Sequence, residues 1–270
     1  MNRFVKSTIS TATKPTIGFA TCDCLVNSPT RNGTPENLKD CDLKCVVCGK
    51  NCGRPSAIDL FCGAGGAAYG LRLAGFCVCG VDIKRQPRYA GCRFIQGDAL
   101  QADLSGFDFV WASPPCQRYT RAQNASKNRA AHPDLIASVR DKLGRWGGPW
   151  IMENVVGAPL INPTTLCGLA FGLMVKRHRL FESNIMLLAP PCPSHDQDYY
   201  VIFGHECRNR VRMGEDPKGT RCGRRNNIEV GRKAMGIDWM NRAELSEAIP
   251  PVYSEFLGRQ VLGWGQQSNE

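Results

Sequence analysis

No part of this chain approaches the ~18 consecutive apolar residues of a transmembrane helix, so a helical membrane span is not expected. Residues 1–21 hold neither an acid nor the continuous apolar run of a secretory signal; Arg3, Lys6 and Lys14 mark them as a basic arm. Acidic residues are scarce throughout. There are 24 Asp and Glu against 34 Lys and Arg, leaving a formal charge of +10 that points to a polyanionic partner. A solvated basic face would give the same total, so charge alone does not decide. With 270 residues, 43% of them hydrophobic and 21% charged, the composition is that of a soluble globular protein with one large domain or slightly more. The fifteen cysteines do not read as a disulfide framework. The chain is too long, lacks a signal and places many cysteines inside predicted strands, so a reducing cytoplasm is expected.

Six of those cysteines lie between Cys22 and Cys52, where CDLKCVVCGKNC sets a CxxC pair between two further cysteines. Four soft ligands on tight turns suit tetrahedral zinc, and Cys41, Cys45, Cys48 and Cys52 form one such set. The CxC at Cys22 and Cys24 could supply two ligands instead. After Pro55 the pattern becomes that of an α/β protein. A short apolar strand, AIDLF, runs into the glycine-rich CGAGGAAYG and then into a helical pattern that ends at Gly75. A strand, a glycine turn and a helix N-terminus let backbone amides approach a polar cofactor. The next strand, CVCGVDI, brings Asp82 about twenty residues past the glycines, where a carboxylate can accept from ribose hydroxyls. A third, CRFIQGDAL, brings Asp98. The repeat of strand followed by acid describes a nucleoside bed.

FDFVWASPPCQ, from Phe107 to Gln117, is the centre of the pattern. Its β-branched and aromatic run reads as a buried parallel strand, which two prolines stop so that Cys116 stands at the carboxyl end. Open α/β sheets keep their chemistry there, and a thiol is a strong nucleophile when its pKa is lowered or a neighbour assists it. A lone cysteine is more often a buried structural thiol, but this context favours function. Residues 118–132 then carry Arg118, Arg121, Lys127 and Arg129 with no acid, as a loop closing over phosphates would. A helix is expected from about Pro133 to Trp146, leading to the strand WIMENV, where Glu153 would be costly beside a thiol unless partnered.

In order and spacing, DLFCGAGG, SPPCQ, ENV and KRHRLFES resemble the cofactor loop, nucleophile motif, cytosine-gripping motif and two-arginine motif of the cytosine-5 DNA methyltransferases. The resemblance runs from about Ala57 to Leu262. It implies a Rossmann-like methyltransferase sheet using S-adenosylmethionine, bound near Phe61, Gly63, Gly65, Gly66, Asp82, Asp98, Leu100 and Pro114. It also implies that Cys116, Glu153, Arg177 and Arg179 act on a cytosine flipped out of duplex DNA, in a monomer within the cytoplasm of a bacterial or phage-infected cell. In that scheme Cys116 attacks, Glu153 holds the ring, and Arg179 with Arg177 orients the base and helps keep the thiol ionised. Two positions depart from the family: Val175 replaces a glutamine, and AIPPVYSEFLG lacks an asparagine. An amino-methyltransferase would place Asn or Asp before Pro-Pro and an aromatic residue, where Ser113 and Cys116 stand instead. An RNA-directed relative would share every catalytic residue, and a non-catalytic binding relative is the other alternative.

The expected organisation is a basic arm and Cys-rich extension at 1–55, a cofactor-binding catalytic domain at 56–183, a small target-recognition insertion at 184–228, and closing helices at 229–270. Cys192, His195, His205, Cys207 and Cys222 offer a second, irregularly spaced zinc set. From Cys207 to Lys233 nine Lys or Arg face three Asp or Glu, with Arg224 and Arg225 adjacent. Arginines suit guanine edges and phosphates alike. Arg224→Ala with Arg225→Ala separates the two uses. Base reading predicts methylation spreading to near-cognate sites, at about 1–3 kcal/mol of lost discrimination per contact. Phosphate contact predicts uniformly weaker binding and a flatter salt slope.

Overall fold

The computed structural model describes residues 54–119, 133–196, 199–203, 206–210 and 228–267. Cys41, Cys45, Cys48, Cys52, Arg121, His205, Cys222, Arg224 and Arg225 lie outside them.

Three apolar runs become strands buried almost end to end: β1 (Ser56–Leu60), β4 (Phe109–Ala112) and β5 (Trp150–Val155). Such strands belong to a parallel sheet covered on both faces. With β2 (Cys77–Asp82), β3 (Arg93–Gln96), β6 (Thr164–Leu166) and β7 (Arg179–Ser183) they form one seven-stranded sheet in the order β3-β2-β1-β4-β5-β7-β6. The first five strands are parallel. β7 runs antiparallel to both neighbours, pairing Val155 with Arg179 on one side and Leu166 with Arg179 on the other. β8 (Tyr199–Phe203) and β9 (Glu206–Arg210) form a separate antiparallel pair.

The helices are α1 (Gly66–Ala74), α2 (Ile136–Trp146), α3 (Ile228–Met235), α4 (Arg242–Glu247) and α5 (Pro251–Gln267). Period-2 alternation in β4 divides the core between the two faces of the sheet. Phe109 and Trp111 join Leu71 of α1 and Tyr253 and Leu257 of α5, while Val110 and Ala112 join Ile136, Val139 and Leu143 of α2. The helix expected from Pro133 starts three residues later, where the Asp134 carboxylate accepts from the Ile136 amide at 3.3 Å. The closing helix runs to Gln267, past the expected Leu262. Among the described residues no helix is long and apolar enough to cross a membrane.

α1 and α5 meet so closely that a Cβ on Gly70 would strike the Pro251 carbonyl and Ser254 Oγ, both parts of the facing helix. Gly144, inside α2, has nothing within 4 Å of that position. Gly70→Ala is therefore expected to destabilise the fold by about 1–3 kcal/mol through overpacking. Gly144→Ala should be neutral or stabilise by up to about 1 kcal/mol through helix propensity. Urea unfolding of the two variants against the parent chain gives both signs in one experiment.

Candidate functional site

The strand order reverses between β1 and β4. From β1 the chain moves outward to β2 and β3, then returns to lay β4 on the other side of β1. At such a switch point the loops that follow the two central strands part and leave a crevice at their carboxyl ends. Here those loops are the glycine turn after Leu60 and the Ser113–Cys116 turn after Ala112. The Ser113 amide donates to the Leu60 carbonyl at 3.0 Å and fastens one to the other.

The glycine turn needs left-handed backbone at three places: Phe61 (φ 59°), Gly63 (φ 49°) and Gly65 (φ 83°). For Phe61 that conformation costs free energy, which is common where a loop is held for binding. Asp82 braces the turn, one carboxylate oxygen accepting from the Gly63 amide at 2.9 Å and the other from the Lys84 amide at 2.8 Å. Asp98 accepts from the Leu100 amide at 2.9 Å, closing an Asx turn after β3. Each carboxylate keeps unused lone pairs. A Cβ at Gly63 or Gly97 would meet nothing within 4 Å, so the turn and the end of β3 both border open space. Phe61, Gly63, Gly65, Asp98, Leu100 and Pro114 thus lie in loops at this edge of the sheet, with Gly66 opening α1 and Asp82 ending β2 beside them. They provide what a nucleoside cofactor requires: backbone amides, strand-end carboxylates and room.

On the β4 side, Cys116 is half-buried and leads into a short 3-10 turn, Gln117–Tyr119, that carries the half-buried Arg118. Asn154 Nδ2 donates to the Pro114 carbonyl at 2.9 Å, so the ENV strand holds the Pro-Pro turn in place. Glu153 is buried and accepts from Arg179 Nε at 3.0 Å. The antiparallel direction of β7 makes this pair possible, because its first residue lies at the edge where the parallel strands end. Arg177 behaves differently. Its guanidinium donates to the Ile202 carbonyl at 3.0 Å and the Ser246 carbonyl at 2.6 Å, and its Nε is shut off from solvent with no partner. Burial lowers the Arg177 pKa to about 9, with Arg179 adding to the effect, and at neutral pH the group remains cationic.

Burial raises the Glu153 pKa, and Arg179 is the strongest influence opposing it. Burial also raises the Cys116 thiol, with Glu153 adding to it. Arg179 and Arg177 pull the other way and do not outweigh them. The arginines alone therefore do not bring the Cys116 pKa down: burial is the larger influence, and Glu153 adds to it.

Sequence reasoning missed two residues of this site. Asp59 is fully buried in β1 with neither oxygen in a well-formed hydrogen bond, and burial, then the nearby Asp82, holds its pKa well above the usual range. An acid in the middle of an apolar strand was the available signal. Trp239, between α3 and α4, donates from Nε1 to the Ala64 carbonyl at 2.9 Å and so grips the glycine turn from far along the chain. No local pattern marks it. Of the irregular zinc set, Cys192 and His195 meet Cys167 and His178. Val175, the departure from the two-arginine motif, is buried beside β8.

Residues 56–158 match the model of the C-5 cytosine-specific DNA methylase family, a span that contains Cys116 and Glu153 and ends before Arg177. No curated protein matches the chain. Among solved structures, the chain is similar to a protein described as a DNA modification methyltransferase encoded within a prophage of E. coli. The identity is 14% over 80% of this chain and 100% of that one, with a TM-score of 0.51. It is also similar to the S. pombe Dnmt2 methyltransferase (13% identity, 78% of this chain and 98% of that one, TM-score 0.51). A third similar structure is the Entamoeba histolytica methyltransferase EhMeth (12%, 78% and 98%, TM-score 0.50). At these identities the likeness is one of fold. The Rossmann-like methyltransferase sheet holds, and so does the family resemblance drawn from the motifs.

Alkylation of Cys116 by iodoacetamide should accelerate with pH to a midpoint above that of an ordinary thiol. Glu153→Gln removes the nearby negative charge and should move that midpoint down. Rates measured across the pH range on parent and variant, following the Cys116 peptide, check both; an unshifted midpoint would leave Glu153 without influence on the sulfur.

Proposed function

As a relative of the C-5 cytosine-specific DNA methylases, this chain, we propose, transfers a methyl group from S-adenosylmethionine to carbon 5 of a cytosine flipped out of duplex DNA. The observation that carries the reading is the meeting of Cys116 with the buried Glu153–Arg179 pair, one loop away from the glycine turn. The cofactor would supply an electrophilic methyl on a sulfonium. Gly63, Gly65 and Gly66 would receive it through backbone amides, Asp82 and Asp98 through carboxylates, and Phe61, Leu100 and Pro114 would wall the site.

Carbon 5 of cytosine is too weak a nucleophile to take that methyl directly. The Cys116 thiol would lose its proton to solvent, its thiolate would add to carbon 6, and protonated Glu153 would donate to ring nitrogen 3 so that the displaced electron pair makes carbon 5 nucleophilic. A carboxyl whose pKa is raised by burial is suited to carrying that proton. Arg179 restrains Glu153 until the base arrives and, with Arg177 nearby, would orient the base oxygen. Once carbon 5 is methylated, water would take its proton, the carbon–sulfur bond would break with Cys116 departing as thiolate, and nitrogen 3 would return its proton to Glu153. None of these atoms can be reached inside a duplex, so flipping costs a few kcal/mol, which Arg118 and Arg121 help to offset through phosphate contacts.

The proposal extends to the chain's surroundings: a monomer in the cytoplasm of a bacterial or phage-infected cell, acting on a short duplex site in the manner of restriction-modification. Segment 184–228 would read that site, and Cys41, Cys45, Cys48 and Cys52 would hold a structural zinc on the strength of their spacing.

Cys116→Ser should abolish methyl transfer while cofactor binding stays within a few-fold of the parent. With labelled cofactor, duplex DNA should be methylated and tRNA should not; the reverse result would identify an RNA enzyme, and no transfer to either a binding relative. A 5-fluorocytosine duplex should trap a covalent complex at Cys116, because fluorine cannot leave as a proton does. An active preparation that fails to trap would exclude the thiolate route.

A further inference from the structure

Outside the site just described, the thiols and imidazoles of four residues distant in sequence converge. Cys167 Sγ lies 3.6 Å from His195 Nε2, and Cys192 Sγ lies 3.4 Å from His178 Nε2 and 3.2 Å from His195 Nε2. All four ligand atoms fall within 4.8 Å of one another. With Zn–S near 2.3 Å and Zn–N near 2.0–2.1 Å, the S···N edge of a tetrahedral zinc site is about 3.6 Å. The observed separations of 3.2–3.6 Å are close to that edge, with no large rearrangement needed. From these positions we infer that Cys167, His178, Cys192 and His195 bind one zinc ion.

The backbone supports the assignment independently of side-chain distances. β6 and β7 pair with the register Leu166 to Arg179, which continues to Cys167 opposite His178 just beyond the strand ends. The other two ligands come from Cys192-Pro-Ser-His195, a two-residue spacing on an irregular stretch that bends at His195. Two ligand pairs from two separate chain segments suit a closed four-ligand structural site. Two thiolates and two neutral imidazoles also cancel the charge of Zn²⁺, which suits a cluster whose Cys167 is buried while Cys192 is exposed. The donor set selects the metal: two sulfurs and two nitrogens in a tetrahedron favour zinc over the harder, oxygen-seeking cations. Four protein ligands leave no position for water, so the ion is structural.

Its place in the fold gives it a task. His178 stands between Arg177 and Arg179, and Cys192 and His195 stand on the segment leading to β8. The ion would pin the two-arginine strand to the root of the β8–β9 hairpin. This inference stands whether or not the chain transfers methyl groups, because its readout is metal content.

The experiment uses the full chain. Elemental analysis should show one zinc equivalent fewer in Cys192→Ser/His195→Asn than in the parent. Cys45→Ser/Cys48→Ser should leave that equivalent in place and so separate it from any ion held by the amino-terminal cysteines. Cobalt loaded into the Cys45→Ser/Cys48→Ser chain should show the visible bands of a tetrahedral site with two thiolates. Chelation should lower the unfolding temperature of this chain, and zinc, not magnesium, should restore it. A folded Cys192→Ser/His195→Asn variant with the parent's zinc content overturns the inference. So does a Cys45→Ser/Cys48→Ser chain that gives no tetrahedral cobalt spectrum, a test that holds even if the other variant does not fold.

Discussion

A carboxylate and a guanidinium removed from water together, Glu153 and Arg179 at 3.0 Å, impose the main constraint on this structure. Either charge alone would be costly to bury, so the fold must bring both to one place. Glu153 comes from a parallel strand and Arg179 from the next strand in the sheet. They meet at the same edge because β7 runs against its neighbours. Had β7 been parallel, Arg179 would have opened at the opposite end, beneath the core. The single reversed strand is thus what lets a second motif, late in the sequence, complete a site begun by the first.

The same pair sets the state of the sulfur. Cys116 sits in a field where burial and a negative charge favour the thiol and two positive charges favour the thiolate, with the former prevailing. The balance is close in kind, since Glu153 is itself pushed towards protonation by burial. Any change that neutralised Glu153 would leave the two arginines opposed chiefly by burial, so the charge on this one carboxyl bears directly on the sulfur.

Much of this was legible in the sequence because it is written in local patterns. Apolar runs gave β1, β4 and β5, the glycine turn was marked by its composition, and Asp82 and Asp98 stood at strand ends. The Pro-Pro-Cys and ENV motifs carry their own chemistry in their residue types. Contacts between distant positions without a periodic signal were not legible. Arg177 and Arg179 look equivalent in KRHRLFES, yet one pairs with Glu153 and the other clasps the carbonyls of Ile202 and Ser246. Cys167 and His178 meet only because β6 pairs with β7, and three-residue β6 is too short to announce itself. Asp59 was visible as an acid among apolar residues, but its burial without a strong partner depends on what α1 and Asp82 do above it.

The grip of Trp239 on Ala64, and the packing of α5 against α1, join the first described elements to the last. During synthesis the ribosome delivers the glycine turn and α1 long before either partner exists. The central strands can pair as they emerge, but the apolar face of α1 stays uncovered until the last residues of α5 have left the exit tunnel. Contacts so distant in sequence form late and slowly. The nascent chain therefore carries an exposed apolar surface from the emergence of α1 until that of α5, and the glycine turn goes without its Trp239 clasp over nearly the same interval.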